Sequence, residues 1–538
     1  MHHLHGARRI AGVALLLSLA ACSSGGGNDQ GSRSIAFSTQ EISFSAAAPD
    51  AATPAPQVIT ATLSEGAANI ALTFSGRGVD NVTSTISGNT AQITITPSAP
   101  SSLGGGFFST TIAATGYFCA DTTCSRLEAG ASTTMKVSYQ VSPAVRQVAP
   151  NVATAGVSDL AVIRGLGFGG FTIGAVRFGD VAATDVRVVS DTEIHATYPA
   201  LAAGTYPVAI DVPTHQGPIA SGATLIALDP VTFAAGTFAY PDTVTTARNV
   251  IYDAQHGALL VGTDANGGEI LRYAQNNGAL DPPTVLAVPN LRDFALTTDG
   301  AQLLVINTTQ LIPVDPVTLT AGTAIDAPTL AEGATLKNIV VNNVNRATIT
   351  AAQGATATPL YDYDVATGTL AKLEGALINA TPGISGNGAI VALTQGDPSL
   401  TAAPSVLIAD ASTGTISATG LAIMQNSVPP VLDRNVSRLI LAGRRVYNAA
   451  LVLQGLIPET TAAVAISPDG KRAYTYDTAA NAVLVFDISA TKEGGDYTAT
   501  STIALAGLPG SNLRMTLSFD GKTLFIAGAT QLVVQPTP

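Results

Sequence analysis

The chain has 538 residues, of which 46% are apolar and only 12% charged, with a formal net charge of −12 at pH 7. That length exceeds one ordinary hydrophobic core and implies several domains. The charged fraction is about half of the roughly 25% usual in soluble proteins, which argues against coiled coils and long solvent-facing helices. No basic run follows Arg8-Arg9, so a nucleic-acid partner is not expected.

The N-terminus comes first. Arg8 and Arg9 precede a ten-residue apolar core, Ile10 to Leu19. Ten residues are too few to span a bilayer and fit the h-region of a secretory signal. The sequence Leu19-Ala20-Ala21-Cys22 follows, then Ser23 and a Gly/Ser/Asn-rich stretch. It resembles the lipobox of bacterial lipoproteins. The resemblance implies cleavage before Cys22, diacylglyceryl transfer to its sulfur, and a membrane partner reached through that lipid. Ser23, where Asp would signal retention, implies an outer-membrane destination. Residues 1–21 are thus expected as a signal peptide and 22–33 as a flexible tether.

From Ser34 onward, short apolar-alternating runs are separated by Gly, Pro, Asn and Asp, the signature of an all-β chain. Residues 34–145 contain six such runs: SIAFS, QVITATLS, NIALTFSG, AQITITPS, FFSTTIAATGYFC and TTMKVSYQVSP. They resemble the immunoglobulin-like or BACON-like modules of bacterial surface proteins. Within them, FCADTTCS places Cys119 and Cys124 five residues apart. In an exported chain the pair is expected to form a disulfide. A metal pair is the alternative, although two further ligands are missing nearby.

Residues 146–229 carry Pro150, Gly156, Gly165-x-Gly167-Phe168, Val176-x-Phe178-Gly179, Ser190-Asp191-Thr192-Glu193-Ile194, Pro199 and Gly204-x-Tyr206-x-Val208. This pattern resembles the IPT/TIG domain, an immunoglobulin-like fold. The resemblance implies an adhesive or spacer role. The glycines read as tight turns, and Phe168, Phe178, Ile194 and Val208 as inward-facing residues.

Residues 230–538 repeat themselves. AVAISPDGKRAYTYDTAANAVLVFDIS is strand, Asp-Gly turn, strand, loop, strand, and copies recur along the chain. The turns fall near Gly257, Gly300, Asn345, Gly388, Val436, Gly470 and Gly521, a mean spacing of 44 residues. That period matches four-stranded propeller blades. The final unit supplies three strands, so residues 231–240 are expected to add the fourth and close the ring. The best repeats resemble the YVTN family of seven-bladed propellers. The expected fold is all-β: two immunoglobulin-like β-sandwiches followed by a seven-bladed β-propeller.

No catalytic, cofactor-binding or metal-ligating residue is nominated, and no cofactor is expected. Quinoprotein propellers stack their cofactor on Trp, and this chain has none. Beyond the signal only His195, His215 and His256 remain, with His195 expected on the solvent side of a strand. Asp253, Asp264, Glu269 and Asp299 are candidate carboxylates for a lactonase-like channel. Asp299 and Asp469, however, occupy Asp-Gly turns, where Asp is expected for turn reasons alone. The stretch Asp264 to Glu269 is too short for an EF-hand loop. The leading expectation is a lipid-anchored, non-catalytic surface or periplasm-facing protein whose propeller binds a protein or polysaccharide. A propeller hydrolase or oxidoreductase is the alternative.

Overall fold

The computed structural model describes residues 33–538 except 215–216, 355, 374–376, 396–404, 411–415, 423–427, 459–462, 508 and 511. Cys22, the expected signal and nearly all of the expected tether lie outside the described residues, as does His215. Among the described residues no helix is long and apolar enough to cross a membrane.

The first sandwich packs two four-stranded sheets. One runs in the order Ile35–Phe37, Gln57–Leu63, Thr90–Pro97, Val79–Ser87; the other in the order Glu41–Ala46, Leu127–Val141, Gly106–Cys119, Ala67–Gly76. Strand alternation builds its core. Ile59, Ala61 and Leu63 of one strand and Ala91, Ile93 and Ile95 of its neighbour point inward and are buried, while the threonines between them face out. Two strands lie outside the six apolar runs. Glu41–Ala46 buries only Phe44 and Ala46, and Val79–Ser87 is mostly polar and exposed. Each turns three apolar side chains inward, Ile42, Phe44 and Ala46 from the first and Val79, Val82 and Ile86 from the second, and is held by its neighbours in the sheet.

Cys119 and Cys124 are disulfide-bonded. The bond lies in the hairpin between Gly106–Cys119 and Leu127–Val141. Asp121 organises that loop, accepting from Thr123 N and Oγ1 and from Ser125 N and Oγ. Those bonds, led by the Ser125 hydroxyl, hold the Asp121 carboxyl down at about 2.

The second sandwich has one sheet ordered Val152–Thr154, Ile219–Leu228, Gly204–Asp211, Ala175–Phe178, Val181–Ala182, and a second ordered Thr184–Ser190, Glu193–Tyr198, Asp159–Leu166, Ala144–Ala149. Phe168, Phe178, Ile194 and Val208 are all fully buried in its core. Gly167 has φ +78° and stands against the backbone of Gly105 in the first sandwich, where a Cβ would overlap the Gly105 Cα. This glycine therefore also lets two domains touch.

Among the described residues the remaining chain forms one small two-stranded sheet, pairing Ala357–Thr358 with Leu377–Ile378, and seven radial sheets. Their first strands are Ala247–Asp253, Asp293–Leu296, Thr335–Val341, Thr381–Ile384, Val431–Leu432, Val464–Ile466 and Arg514–Leu517. Each touches the next, and the last touches the first, so the ring is closed. The core is divided accordingly. Among the described residues seven apolar clusters each join two neighbouring blades. Closure uses Gly236–Ala239, which pairs antiparallel with Gln531–Pro536 in the last blade. Phe233, just upstream, is buried edge-on against Phe525 at 5.1 Å and Tyr252 at 5.7 Å, between the last and first blades. Burying such a side chain contributes roughly 1.5–3 kcal/mol. The outer strands, such as Thr284–Ala287 and Thr369–Lys372, are short and largely exposed, which is why the period reveals them and the apolar pattern does not.

Candidate functional site

In each blade the first strand runs from one face of the ring to the other. The two ends of these strands differ chemically. At the far end, each first strand turns into the second. In blades 2, 6 and 7 this turn reads Ser/Thr-x-Asp-Gly. Thr297, Ser467 and Ser518 donate their hydroxyls to Asp299, Asp469 and Asp520 at 2.6, 2.6 and 2.5 Å. The same hydroxyls accept from Gln302 N, Arg472 N and Thr523 N. Blade 4 repeats the arrangement with Ser385 and Asn387, a copy that the Asp-Gly signal alone does not detect. Asp299 and Asp469 are therefore turn residues.

The second sandwich docks on this turn end. Arg164 donates to Asn343 Oδ1 at 3.1 Å in the blade 3 turn and pairs with Glu193. Asp159 receives Arg434 at 2.9 Å and Asn435 at 3.1 Å from the blade 5 turn. Asn151 donates to Gln255 at 3.0 Å in the blade 1 turn, and Gln147 to Asn345 at 3.2 Å. The turns also join one another: Arg434 reaches across to the Phe519 carbonyl of blade 7 at 2.7 Å. A cleft of about 1090 Å³ opens at this junction. Its charged walls are already paired, Arg146 with Asp50, Arg346 with Asp362, and Asp299 with Asn345. The cleft is a structural seam whose charged groups pair within the protein.

The opposite end, where the first strands begin, lies about 17 Å away at roughly 3.3 Å per residue. There the sequence places Arg248 on blade 1, Arg292 on blade 2, Lys337 on blade 3 and Arg514 on blade 7. These four blades are consecutive around the closed ring. Among the described residues none of the four cations forms an ion pair. Lys337 spends its ammonium on the carbonyls of Asn379 and Ala380 and the Thr381 hydroxyl, at 2.9–3.2 Å, and burial pushes it down to about 8. Arg514 donates to the Arg248 carbonyl at 2.9 Å and the Leu513 carbonyl at 3.0 Å. The Nε atoms of Arg248 and Arg292 are buried without a hydrogen-bond partner. Burial and the nearby Arg248 lower both Arg292 and Arg514.

Two carboxylates sit beside this group, Asp264 near Arg248 and Asp293 near Arg514. Asp293 accepts from Asn249 Nδ2 at 2.8 Å, Asn338 Nδ2 at 3.1 Å, the Ile339 amide at 3.1 Å and the Phe294 amide at 2.8 Å. Burial pushes it up to about 6, although these bonds and Arg514 act in the opposite sense.

Of the other candidate residues, Asp264 stands near Arg248 at this end. Asp253 is buried and accepts from His256 Nδ1 at 2.8 Å inside the blade 1 turn. Asp264 binds Thr245 and Thr246; burial would raise its carboxyl, but these hydrogen bonds outweigh it and hold it below the ordinary value. Glu269 is buried beside Thr263, and that burial raises it. His195 lies 2.5 Å from Glu193 and is only a third exposed, so it is partnered where the alternation placed it in solvent. Among the described residues no three His, Cys, Asp or Glu side chains stand together as metal ligands. The basic group itself is spread over 267 residues of sequence, from Arg248 to Arg514. Only its repeat position, at the start of first strands, signals it.

These features define a class: two immunoglobulin-like sandwiches bearing a seven-bladed propeller. Within it, residues 143–227 match the family model of the IPT/TIG domain. No curated protein matches the chain. Similar solved structures include Kuenenia stuttgartiensis hydrazine synthase, 13% identical with a TM-score of 0.43, covering 55% of this chain and 96% of that one. Another is the β-propeller domain of Myceliophteria thermophila Cps50 (Swd1), 11% identical with a TM-score of 0.43, covering 57% of this chain and 100% of that one.

Proposed function

We propose that this chain is a non-catalytic lipoprotein, anchored through Cys22 to the outer membrane, whose YVTN-type propeller is a binding head on an immunoglobulin-like stalk. One observation carries the reading. The second sandwich docks on the turn end of the propeller, so the strand-start end is turned away from the stalk. Asp299, the candidate carboxylate in an Asp-Gly turn, is already committed to that turn, which supports binding over chemistry. The partner is a protein or a cell-surface polysaccharide.

Two experiments test this. Palmitate labelling of the wild type is expected to disappear in Cys22→Ala, together with membrane fractionation; unchanged labelling removes the anchor. Pull-down from surface-crosslinked cells is expected to recover a partner, with crosslinks mapping to the strand-start face. Crosslinks confined to the turn end contradict the head assignment.

A further inference from the structure

In a chain of net charge −12, one small region concentrates positive charge without forming an ion pair among the described residues, with Asp264 near Arg248 and Asp293 near Arg514 as facing carboxylates. Arg248, Arg292 and Arg514 come from adjacent first strands, at the same end of each. Two of their guanidinium nitrogens are buried and unbonded. Like charges held together and partly desolvated are costly unless a counter-charge is supplied. The protein supplies little. Asp293 is shared among two asparagines and two amides, and Asp264 is bound to Thr245 and Thr246. Guanidinium forks match carboxylate, phosphate and sulfate oxygens bidentately.

We infer that Arg248, Arg292 and Arg514 form a binding site for an oxyanion at the strand-start mouth of the propeller. Lys337 adds charge there but no free donor, since its ammonium is fully used. The site names the ligand class for the binding head proposed above, and rests on that reading for its biological meaning. The oxyanion comes either as a small free ion or as a group carried on an anionic polysaccharide.

The test is calorimetric titration of the full chain in detergent with sodium sulfate, against sodium chloride at matched low ionic strength. Saturable sulfate binding is expected. The double variant Arg248→Gln/Arg292→Gln is expected to weaken it at least tenfold, as loss of charge-assisted bonds requires. Lys522→Gln, exposed at the turn end, is expected to leave it unchanged. Arg292→Lys keeps the charge and loses the fork, so it weakens binding by a smaller factor.

A melting curve separates this from a structural role. Without sulfate the double variant melts no lower than wild type, because a repulsion is relieved; with sulfate only the wild type gains stability. A second titration uses a sulfated oligosaccharide. Binding at least tenfold tighter than free sulfate, and lost in the double variant, supports the polymer-borne source. Equal affinity supports the free ion. Absence of saturable binding to either probe, or binding indifferent to the double variant, overturns the inference. Such a failure leaves the surface pull-down unaffected and so is distinct from failure of the binding-head reading.

Discussion

The same seven strands end in opposite chemistry. At the turn end nearly every charged group has its partner: Arg164 with Glu193 and Asn343, Arg434 with Asp159, and each turn aspartate with a hydroxyl. At the strand-start end, Arg248 and Arg292 keep buried nitrogens without partners. The comparison teaches that the two ends differ in ion pairing: the cations of the docking face meet carboxylates, and among the described residues those of the strand starts form no ion pair. Buried polar atoms without a partner occur at both ends, Asn343 Nδ2 and Asn435 Oδ1 at the turns as well as Arg248 Nε and Arg292 Nε.

The largest expected effect comes from Arg164→Ala. It leaves the buried Glu193 with His195 but without its guanidinium partner and should cost about 3 kcal/mol, read as a lowered denaturant midpoint. The matching test at the other end, Arg248→Gln/Arg292→Gln, should cost nothing at low salt. Comparable losses at both ends break the contrast. Next is Gly470→Ala. This glycine has φ +70°, and a Cβ would overlap Ser437 Oγ. Backbone strain alone is expected to cost ~1–2 kcal/mol, with the overlap adding to it; an unchanged melting temperature would show that the turn ring is not rigid. Ser467→Ala removes both bonds of its hydroxyl and should cost about 1 kcal/mol in the same assay.

The smallest effect is one of pH. Asp293, at about 6 in the folded chain, lies above the ~3.9 of an unfolded aspartate. Between those values the folded state holds a proton that the unfolded state has lost, so this group's contribution to stability falls as pH rises through the window. The groups facing it are Asn249 on blade 1, Asn338 on blade 3 and Arg514 on blade 7. Protonation withdraws the negative charge felt by Arg514, while sulfate keeps its own charge. Sulfate affinity is therefore expected to rise a few-fold from pH 7 to pH 5. An unchanged affinity over that range separates Asp293 from the site, and a fall contradicts the expected direction.

Much of this architecture is legible in sequence because it rests on local signals. The Asp-Gly turns at Gly300, Gly470 and Gly521 mark blades directly, and the 44-residue period recovers the degenerate copies at Asn345 and Val436. The disulfide is legible because its two cysteines stand five residues apart in one hairpin. The hidden strands, Glu41–Ala46 and Val79–Ser87, turn only a few apolar residues inward and are completed by pairing with their neighbours. The docking face depends on residues such as Arg164 and Asn343, 179 apart in sequence, whose meeting no local pattern encodes. The basic group is hidden for the same reason: its members are ordinary single arginines until the ring closes and brings blade 7 beside blade 1.

The most direct measurement is amide hydrogen exchange of the full chain with and without sulfate. Slowed exchange is predicted at the strand starts, residues 245–250, 290–294 and 512–516, with no change at the turns 254–257, 297–301 and 467–471. Protection at the turns, or none at either end, would contradict the assignment of the strand-start mouth as the ligand-binding end.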